Sequence, residues 1–154
     1  MKRFLIVFII FIFFGSLILF AALWYGGYPG ATEDSMVTKV TIAEAIFAVD
    51  VADTPASREQ GLSGRPRLAD NEGMLFIFPE SFVPAFWMKD MNFALDMIWI
   101  DGDRRVVDIT EDALPESFPE SFRPSEPVKY VLEINAHGAA ENGIKIGDTV
   151  EFSN

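Results

Sequence analysis

The feature that most constrains the fold of this chain is an apolar run over residues 4–24, FLIVFIIFIFFGSLILFAALW. The run contains no charged side chain. As a helix it would be about 30 Å long, which is the thickness of the hydrocarbon layer of a bilayer. A helix that is apolar on every side does not suit the surface of a globular domain. Residues 4–24 are therefore predicted to form a transmembrane signal anchor.

The residues on either side of this run predict its orientation. Lys2 and Arg3 precede it, and Trp24 lies at its far end, where aromatic rings favour the headgroup region. Positive charges stay in the cytoplasm, so we expect residues 1–3 inside and everything after the run outside. The predicted location is the cell membrane, crossed once, and the membrane is a predicted partner through this helix.

A cleaved signal peptide is the alternative, and it would release a secreted protein. Signal-peptide apolar regions are usually about 7–15 residues long and end at a small-x-small cleavage site. The run here is longer, and Ala21-Ala22 is followed by bulky residues. Gly30-Ala31 would be a weak site. The uncleaved anchor is the favoured interpretation.

The remainder of the chain is predicted to be a linker and one folded domain. Residues 25–35 contain GGYPG and then polar residues, a composition typical of a linker. Residues 36–154 are long enough to bury one modest hydrophobic core. We expect them to form a single extracytoplasmic domain.

Composition excludes several functional classes. The chain has 12 Lys and Arg against 23 Asp and Glu, no cysteine and one histidine. Disulfides, cysteine-based zinc or iron–sulfur sites, thiol nucleophiles and a multi-histidine metal centre within one chain are therefore excluded. Nucleic acid is not expected as a partner, because phosphate backbones need a basic surface. We predict no metal and no cofactor.

Hydrophobic patterning after the linker predicts an α+β fold that is mostly β. Short apolar or alternating segments recur between turn residues, which is typical of a compact β-rich barrel-like or sandwich domain. Two short helices are expected, one capped by Thr54 with Pro55 in its first turn and one over residues 137–142. The predicted strands are residues 37–43, 45–52, 74–78, 85–89, 93–100, 106–109, 129–134 and 149–152.

Asp96 is the most informative polar residue in this pattern. It lies within FALDMIWI, residues 93–100, where both alternating faces are apolar. A carboxylate buried there needs a cation or several hydrogen-bond donors. Lys89 and Arg65 are candidate cationic partners, and backbone amides of a neighbouring loop are the alternative. Asp96 is accordingly predicted to be either a functional carboxylate or a structural one, with the structural interpretation favoured.

Trp87 belongs to a dense group of aromatic and methionine side chains, FWMKDMNF, over residues 86–93. Such a group could form the floor of an apolar ligand pocket, although core packing is the more common role. The candidate residues for a ligand site or a buried polar site are Arg65, Trp87, Lys89 and Asp96. No catalytic residue is assigned.

Six motifs in order resemble the bacterial and archaeal family known as domain of unknown function 192. They are Thr54 with Arg58-Glu59-Gln60-Gly61-Leu62 and Arg65, Glu72-Gly73-Met74-Leu75-Phe76, Phe86-Trp87-Met88-Lys89, Leu95-Asp96, Val131-Leu132-Glu133 and Gly143-Ile144-Lys145-Ile146-Gly147-Asp148. The resemblance spans about residues 37–152. It implies a compact β-rich fold in a family whose members are often exported or membrane-anchored, and it implies no reaction.

Three functional hypotheses follow. The first is a non-catalytic binding or accessory module that acts on a small ligand or an envelope protein. The second is an extracytoplasmic hydrolase that uses Asp96 as acid or base, with Lys89 or Arg65 as its electrostatic partner. The third is a structural component of the envelope. A pocket containing Asp96 and Lys89 would favour the hydrolase.

Overall fold

The computed structural model describes residues 37–154. The predicted anchor at residues 4–24 and the whole predicted linker at residues 25–35 lie outside the described residues. Within residues 37–154, no helix has the length and apolar character needed to cross a bilayer.

Seven strands form one sheet, and two short helices and a 3₁₀ turn lie between them. The strands run in the order β5-β4-β6-β3-β2-β1-β7, and every neighbouring pair is antiparallel except β2 and β3. The elements are β1 (Lys39–Ile42), β2 (Ala45–Ala52), α1 (Pro55–Gln60), β3 (Glu72–Phe82), β4 (Leu95–Ile100), β5 (Val106–Ala113), the 3₁₀ turn (Pro115–Ser117), β6 (Val128–Asn135), α2 (Gly138–Glu141) and β7 (Val150–Ser153).

The helix α1 lies in the crossover that the parallel pair β2–β3 requires. Its start follows from local chemistry. The backbone N–H of Ser57 donates to the side-chain oxygen of Thr54, and the Thr54 N–H donates to the Ser57 hydroxyl. Pro55 occupies the first turn, and Gly61 ends the helix at a positive φ of 50°. The predicted cap and first turn are confirmed.

The sheet curls until the segments next to its two edge strands meet. Arg105, just before β5, bridges Thr149, just before β7. Beside this bridge, the N–H of Val106 donates to the Asp148 carbonyl at 2.9 Å, and the Gly147 N–H donates to the Val106 carbonyl at 2.8 Å. The architecture is a half-barrel built from one sheet. The predicted α+β, mostly β class is confirmed in its barrel-like form.

Each face of the curled sheet carries its own hydrophobic cluster. The inner cluster contains Ile98, Leu132 and Val150. The outer cluster contains Phe76, Trp99 and Val131, and buried residues of the loop after α1 pack against it. β4 contributes to both clusters and all six of its residues are buried, as the continuous apolar pattern predicts.

The predicted strand at residues 85–89 is wrong. Only Phe86 pairs there, in a single antiparallel bridge with Phe122. Pro84 has no N–H to donate to a ladder, and Asp90 has a positive φ of 55°, so extended structure ends on both sides of this short segment. Other predicted strand limits also shift: β3 spans Glu72–Phe82, β4 begins at Leu95, and β5 continues to Ala113.

Candidate functional site

A cavity of about 340 Å³ lies on the outer face of the sheet. Its volume is within the range of sites for small molecules. Most of its wall is aromatic or aliphatic, and the exposed rings of Phe82 and Trp87 lie at its rim. The lining residues are Arg58, Glu59, Gln60, Gly61, Leu62, Ser63, Phe76, Phe78, Phe82, Pro84, Ala85, Phe86, Trp87, Met91 and Glu133.

Phe86 is the centre of the aromatic wall. Its ring meets those of Phe76 and Trp99 edge to face, with centroids 4.9 and 5.3 Å apart. A third edge-to-face pair joins Phe78 and Phe82 at 4.9 Å. Rings in this geometry are held by their quadrupoles as well as by burial. The wall is therefore a pre-formed surface and does not depend on one flexible side chain.

Arg58 provides a fixed positive charge at the cavity. The helix α1 places its guanidinium so that Nη1 donates to the carbonyl oxygens of Asp53 and Ile77, the latter at 2.8 Å. The same group lies 5.3 Å from the centroid of the Phe78 ring, in cation–π contact. Among the described residues, no partner is found for its Nε and Nη2 groups.

Two loops that carry the family motifs are joined beside the cavity. The Gly64 N–H donates to the Asp90 carbonyl at 2.8 Å, and the Ser63 hydroxyl donates to the Lys89 carbonyl at 2.9 Å. The Asn92 side chain donates to the Arg65 carbonyl at 2.8 Å. These bonds fix the loop that contains Trp87 and Met91 against the end of α1.

Glu133 is the buried polar group of the cavity. It lies on β6 opposite Met74 of β3 and Met97 of β4, and the residue is 5 % exposed. Within residues 37–154, no hydrogen bond or ion pair reaches its carboxyl group. Among the described residues, no fully enclosed side-chain oxygen or nitrogen lacks a hydrogen-bond partner. The unpaired oxygens of Glu133 are therefore not fully enclosed. The carboxyl group therefore faces the cavity.

Burial raises the pKa of Glu133 from 4.5 to about 8. Desolvation is the cause, because taking the carboxylate out of water destabilises its charged form. At neutral pH this group is mostly protonated. It can donate one hydrogen bond and accept others, so it is suited to orienting a polar group on an otherwise apolar molecule.

Asp96 lies on the opposite face of the sheet from this cavity. It is fully buried, and its two carboxylate oxygens accept hydrogen bonds from the backbone N–H groups of Asp112 and Ala139, at 3.0 and 2.9 Å. The expectation of Lys89 or Arg65 as its partner is wrong. Backbone amides replace the cation, because β5 has a bulge and α2 begins beside this side chain.

The other predicted site residues are dispersed. Arg65 forms an ion pair with Asp50 at the surface. The Lys89 side chain is exposed, and its contact with the neighbouring loop is made by its backbone carbonyl. Trp87 is the one member of the predicted set that lines the cavity. The structure therefore does not bring Arg65, Lys89 and Asp96 together.

The sequence interpretation missed two residues of the cavity as candidates, Glu133 and Arg58. Glu133 could have been found by the reasoning applied to Asp96, because it is a lone carboxylate in a strand, YVLEI, with apolar neighbours on both faces. Arg58 gave no comparable signal, since a basic residue in a short helix is usually solvated. Nothing in residues 37–154 groups three or more His, Cys, Asp or Glu side chains as a metal site requires.

Comparison with known proteins identifies relatives of the same fold. The profile of the family DUF192, described as Uncharacterized ACR, matches residues 37–152. Among solved structures, the chain is similar to a "putative transcription regulator" from Sinorhizobium meliloti 1021, with 37% identity, a TM-score of 0.70, and coverage of 74% of this chain and 92% of the other. It is also similar to a protein of unknown function from Novosphingobium aromaticivorans DSM 12444, with 34% identity, a TM-score of 0.71, and coverage of 82% and 94%. No curated protein matches the chain.

Proposed function

This chain belongs to the DUF192 family, and we propose that its domain is a non-catalytic binding module whose aromatic cavity takes one small, largely apolar molecule. The observation that carries the proposal is the cavity of about 340 Å³ with the Glu133 carboxyl group unpaired in its wall. Desolvation of this group costs stability, although its oxygens are not fully enclosed. A ligand that pairs with this group would recover part of that cost.

The arrangement of the polar groups favours binding over hydrolysis. Asp96 already accepts two backbone hydrogen bonds on the opposite face of the sheet, which removes it from the cavity. Glu133 faces Met74 and Met97 across the neighbouring strands, and among the described residues the other carboxylate that lines the cavity is that of Glu59, which is exposed to solvent. General acid–base catalysis of hydrolysis needs a positioned group for the water as well as one for the leaving group.

The proposed ligand is a small molecule and not a nucleic acid. Residues 37–154 contain 10 of the 12 basic residues, all except Lys2 and Arg3. They contain 21 of the 23 acidic residues, all except Glu33 and Asp34. This negative charge opposes contact with phosphate backbones. As part of the same proposal, residues 4–24 anchor the module so that it samples ligands outside the cytoplasm. An envelope protein is the second proposed partner.

A titration with phenol tests the binding proposal. Phenol is an aromatic probe that both donates and accepts, so it does not presuppose the polarity of the natural ligand. The full chain, labelled at its methionine methyl groups and held in phospholipid nanodiscs, should show a saturable shift of the Met91 signal, because Met91 lines the cavity. A signal at Met91 that does not saturate would exclude the proposed site.

Two aromatic truncations provide matched variants for this titration. Trp87 and Phe118 are both exposed, at 50% and 46%, but only Trp87 lines the cavity. Trp87→Ala should weaken phenol binding by roughly fivefold, because it removes a ring contact worth about 1 kcal/mol. Phe118→Ala should leave it unchanged. Equal weakening in both variants would contradict binding in this cavity.

A further inference from the structure

The wall of the cavity presents hydrogen-bond donors to its interior. Glu133 is protonated at neutral pH and offers an O–H group, and no described residue accepts from it. Arg58 holds a guanidinium at the same cavity, fixed through Nη1 by two backbone carbonyls, with its remaining N–H groups unpaired among the described residues. Donors that face a cavity without a protein acceptor are complemented by a ligand that accepts.

We infer that the ligand, on the basis of the binding function proposed above, is an apolar molecule whose polar group is a hydrogen-bond acceptor, a carbonyl or a carboxylate, received by the Glu133 carboxyl group. The aromatic wall around Phe86 takes the apolar body of the molecule. Arg58 discriminates by charge, because it stabilises an anionic acceptor and tolerates a neutral one.

An organic cation is the opposite class, and the surroundings of Glu133 disfavour it. Holding a cation would require the ionised carboxylate, which burial destabilises. The other charged groups on the cavity are Arg58, which repels a cation, and Glu59, which is exposed to solvent. The facing side chains on β3 and β4 are Met74 and Met97, which carry no charge. The net negative charge of the domain attracts cations only from solvent, where salt screens it.

Binding of an acceptor should depend on the proton of Glu133. The ligand pairs with the protonated form, so its affinity falls as that form disappears above pH 8. Between pH 7 and pH 9 the protonated fraction, and with it the affinity, should fall by about tenfold. By linkage, the bound acceptor should raise the pKa of Glu133, and a bound cation would lower it.

Three probes with one ring each distinguish these cases: acetophenone as a neutral acceptor, benzoate as an anionic acceptor and benzylammonium as a cation. The full chain in nanodiscs carries ¹³C at the glutamate carboxyl groups, and the Glu133 signal is titrated with pH with and without each probe. Acetophenone or benzoate should saturate the Met91 signal and move the Glu133 titration to higher pH. Stronger binding of benzoate would assign an anionic ligand, and stronger binding of acetophenone a neutral one.

Two other results of these titrations would contradict the proposals. Preferential binding of benzylammonium, with the titration moved to lower pH, would overturn the acceptor inference and leave the binding function intact. If none of the three probes, nor phenol, saturates the Met91 signal, the binding function fails as well.

Glu133→Gln gives a second readout. Glutamine keeps an N–H donor but cannot titrate, so acetophenone should bind with an affinity that no longer changes between pH 7 and pH 9. Glu120→Gln, at an exposed position outside the cavity, should keep the tenfold decrease. A decrease that persists in Glu133→Gln would assign the pH dependence to another group and overturn the inference.

Discussion

At the scale of single residues, two buried carboxyl groups in neighbouring strands have opposite surroundings. Asp96 on β4 receives two backbone N–H groups, whereas Glu133 on β6 receives none among the described residues. A carboxylate with two amide donors is a structural group, and its removal leaves those donors without acceptors. A carboxyl group without donors destabilises the folded state, and a ligand that pairs with it can reduce this cost.

Substitution of Asp96 should therefore destabilise the domain. Asp96→Ala leaves the amides of Asp112 and Ala139 without acceptors, at about 1–3 kcal/mol each, for a total loss of about 2–6 kcal/mol. Asp96→Asn keeps one acceptor oxygen and should cost less. Urea unfolding of the full chain followed by tryptophan fluorescence measures both. Wild-type stability in either variant would show that Asp96 is not a structural carboxylate.

Substitution of Glu133 should change stability in the opposite direction and stabilise the domain. Between pH 4.5 and about 8 the folded state keeps a proton that the unfolded state has lost. The free energy of unfolding of the wild type therefore falls as pH rises through this window. The loss is about 1.4 kcal/mol per pH unit. Glu133→Gln removes this dependence. At pH 8 it should be more stable than the wild type by about 4 kcal/mol, with the advantage disappearing towards pH 4.

The same urea unfolding, repeated from pH 4 to pH 8, tests this expectation against Glu120→Gln, which is exposed and should follow the wild-type curve. A Glu133→Gln variant that runs parallel to the wild type at every pH would mean that Glu133 titrates alike in the folded and unfolded states.

At the scale of elements, the close approach of β3 and β6 positions Glu133. A Cβ atom added to Gly73 would lie 2.8 Å from the Glu133 carbonyl oxygen and 3.1 Å from Cδ1 of Leu132. The first of these contacts is with backbone, which cannot rotate away. Glycine at this position therefore permits the pairing that holds Glu133 at the cavity wall.

Gly73→Ala should separate the two strands locally and cost about 1–3 kcal/mol, the usual cost of overpacking. It should also weaken phenol binding, since Glu133 moves with β6. Gly138→Ala, at the start of α2, is the matched control, because its added Cβ meets only side-chain atoms of Ile134, the nearest being Cδ1 at 2.9 Å. Unfolding midpoints and phenol titrations of the two variants should differ. A Gly73→Ala variant as stable as the control would contradict this account.

At the scale of the whole molecule, the curled sheet separates the two carboxyl groups onto different faces. The inner cluster is closed where the edge strands meet, and the outer cluster is covered by α1 and loops. Loops are more readily reshaped than a sheet, so a cavity between the loops and the outer face can adapt to a ligand without unfolding the half-barrel.

The predicted membrane topology is testable on the whole chain. Lys2 and Arg3 before an uncharged run, with acidic residues only from Glu33 onward, predict a cytoplasmic N-terminus and an external domain. Alkaline phosphatase fused after Asn154 should be active outside the cytoplasm, and the membrane fraction should contain protein of full-length mass. Recovery of the fusion in the cytoplasm would contradict the orientation. A product that starts near Ala31 would select the cleaved signal.

Local chemistry was enough to predict much of the fold. Alternation over residues 45–52 predicted β2 with its limits, and Thr54 followed by Pro55 predicted the start of α1. Both depend on residues within a few positions of each other, so a linear sequence contains the whole cause. The segment at residues 85–89 failed because a strand also requires a partner to pair with, and only Phe86 has one.

The sequence by itself determined that carboxyl groups would be buried in apolar strands, because neighbours on both faces of a strand are set by its period of two. Only the tertiary structure decided what each would meet. The amides that satisfy Asp96 come from 16 and 43 residues further along the chain, at a bulge and at a helix start that sequence period does not reveal. Glu133 meets a cavity instead, because the loops that cover its face enclose space and provide no donor to its carboxyl group.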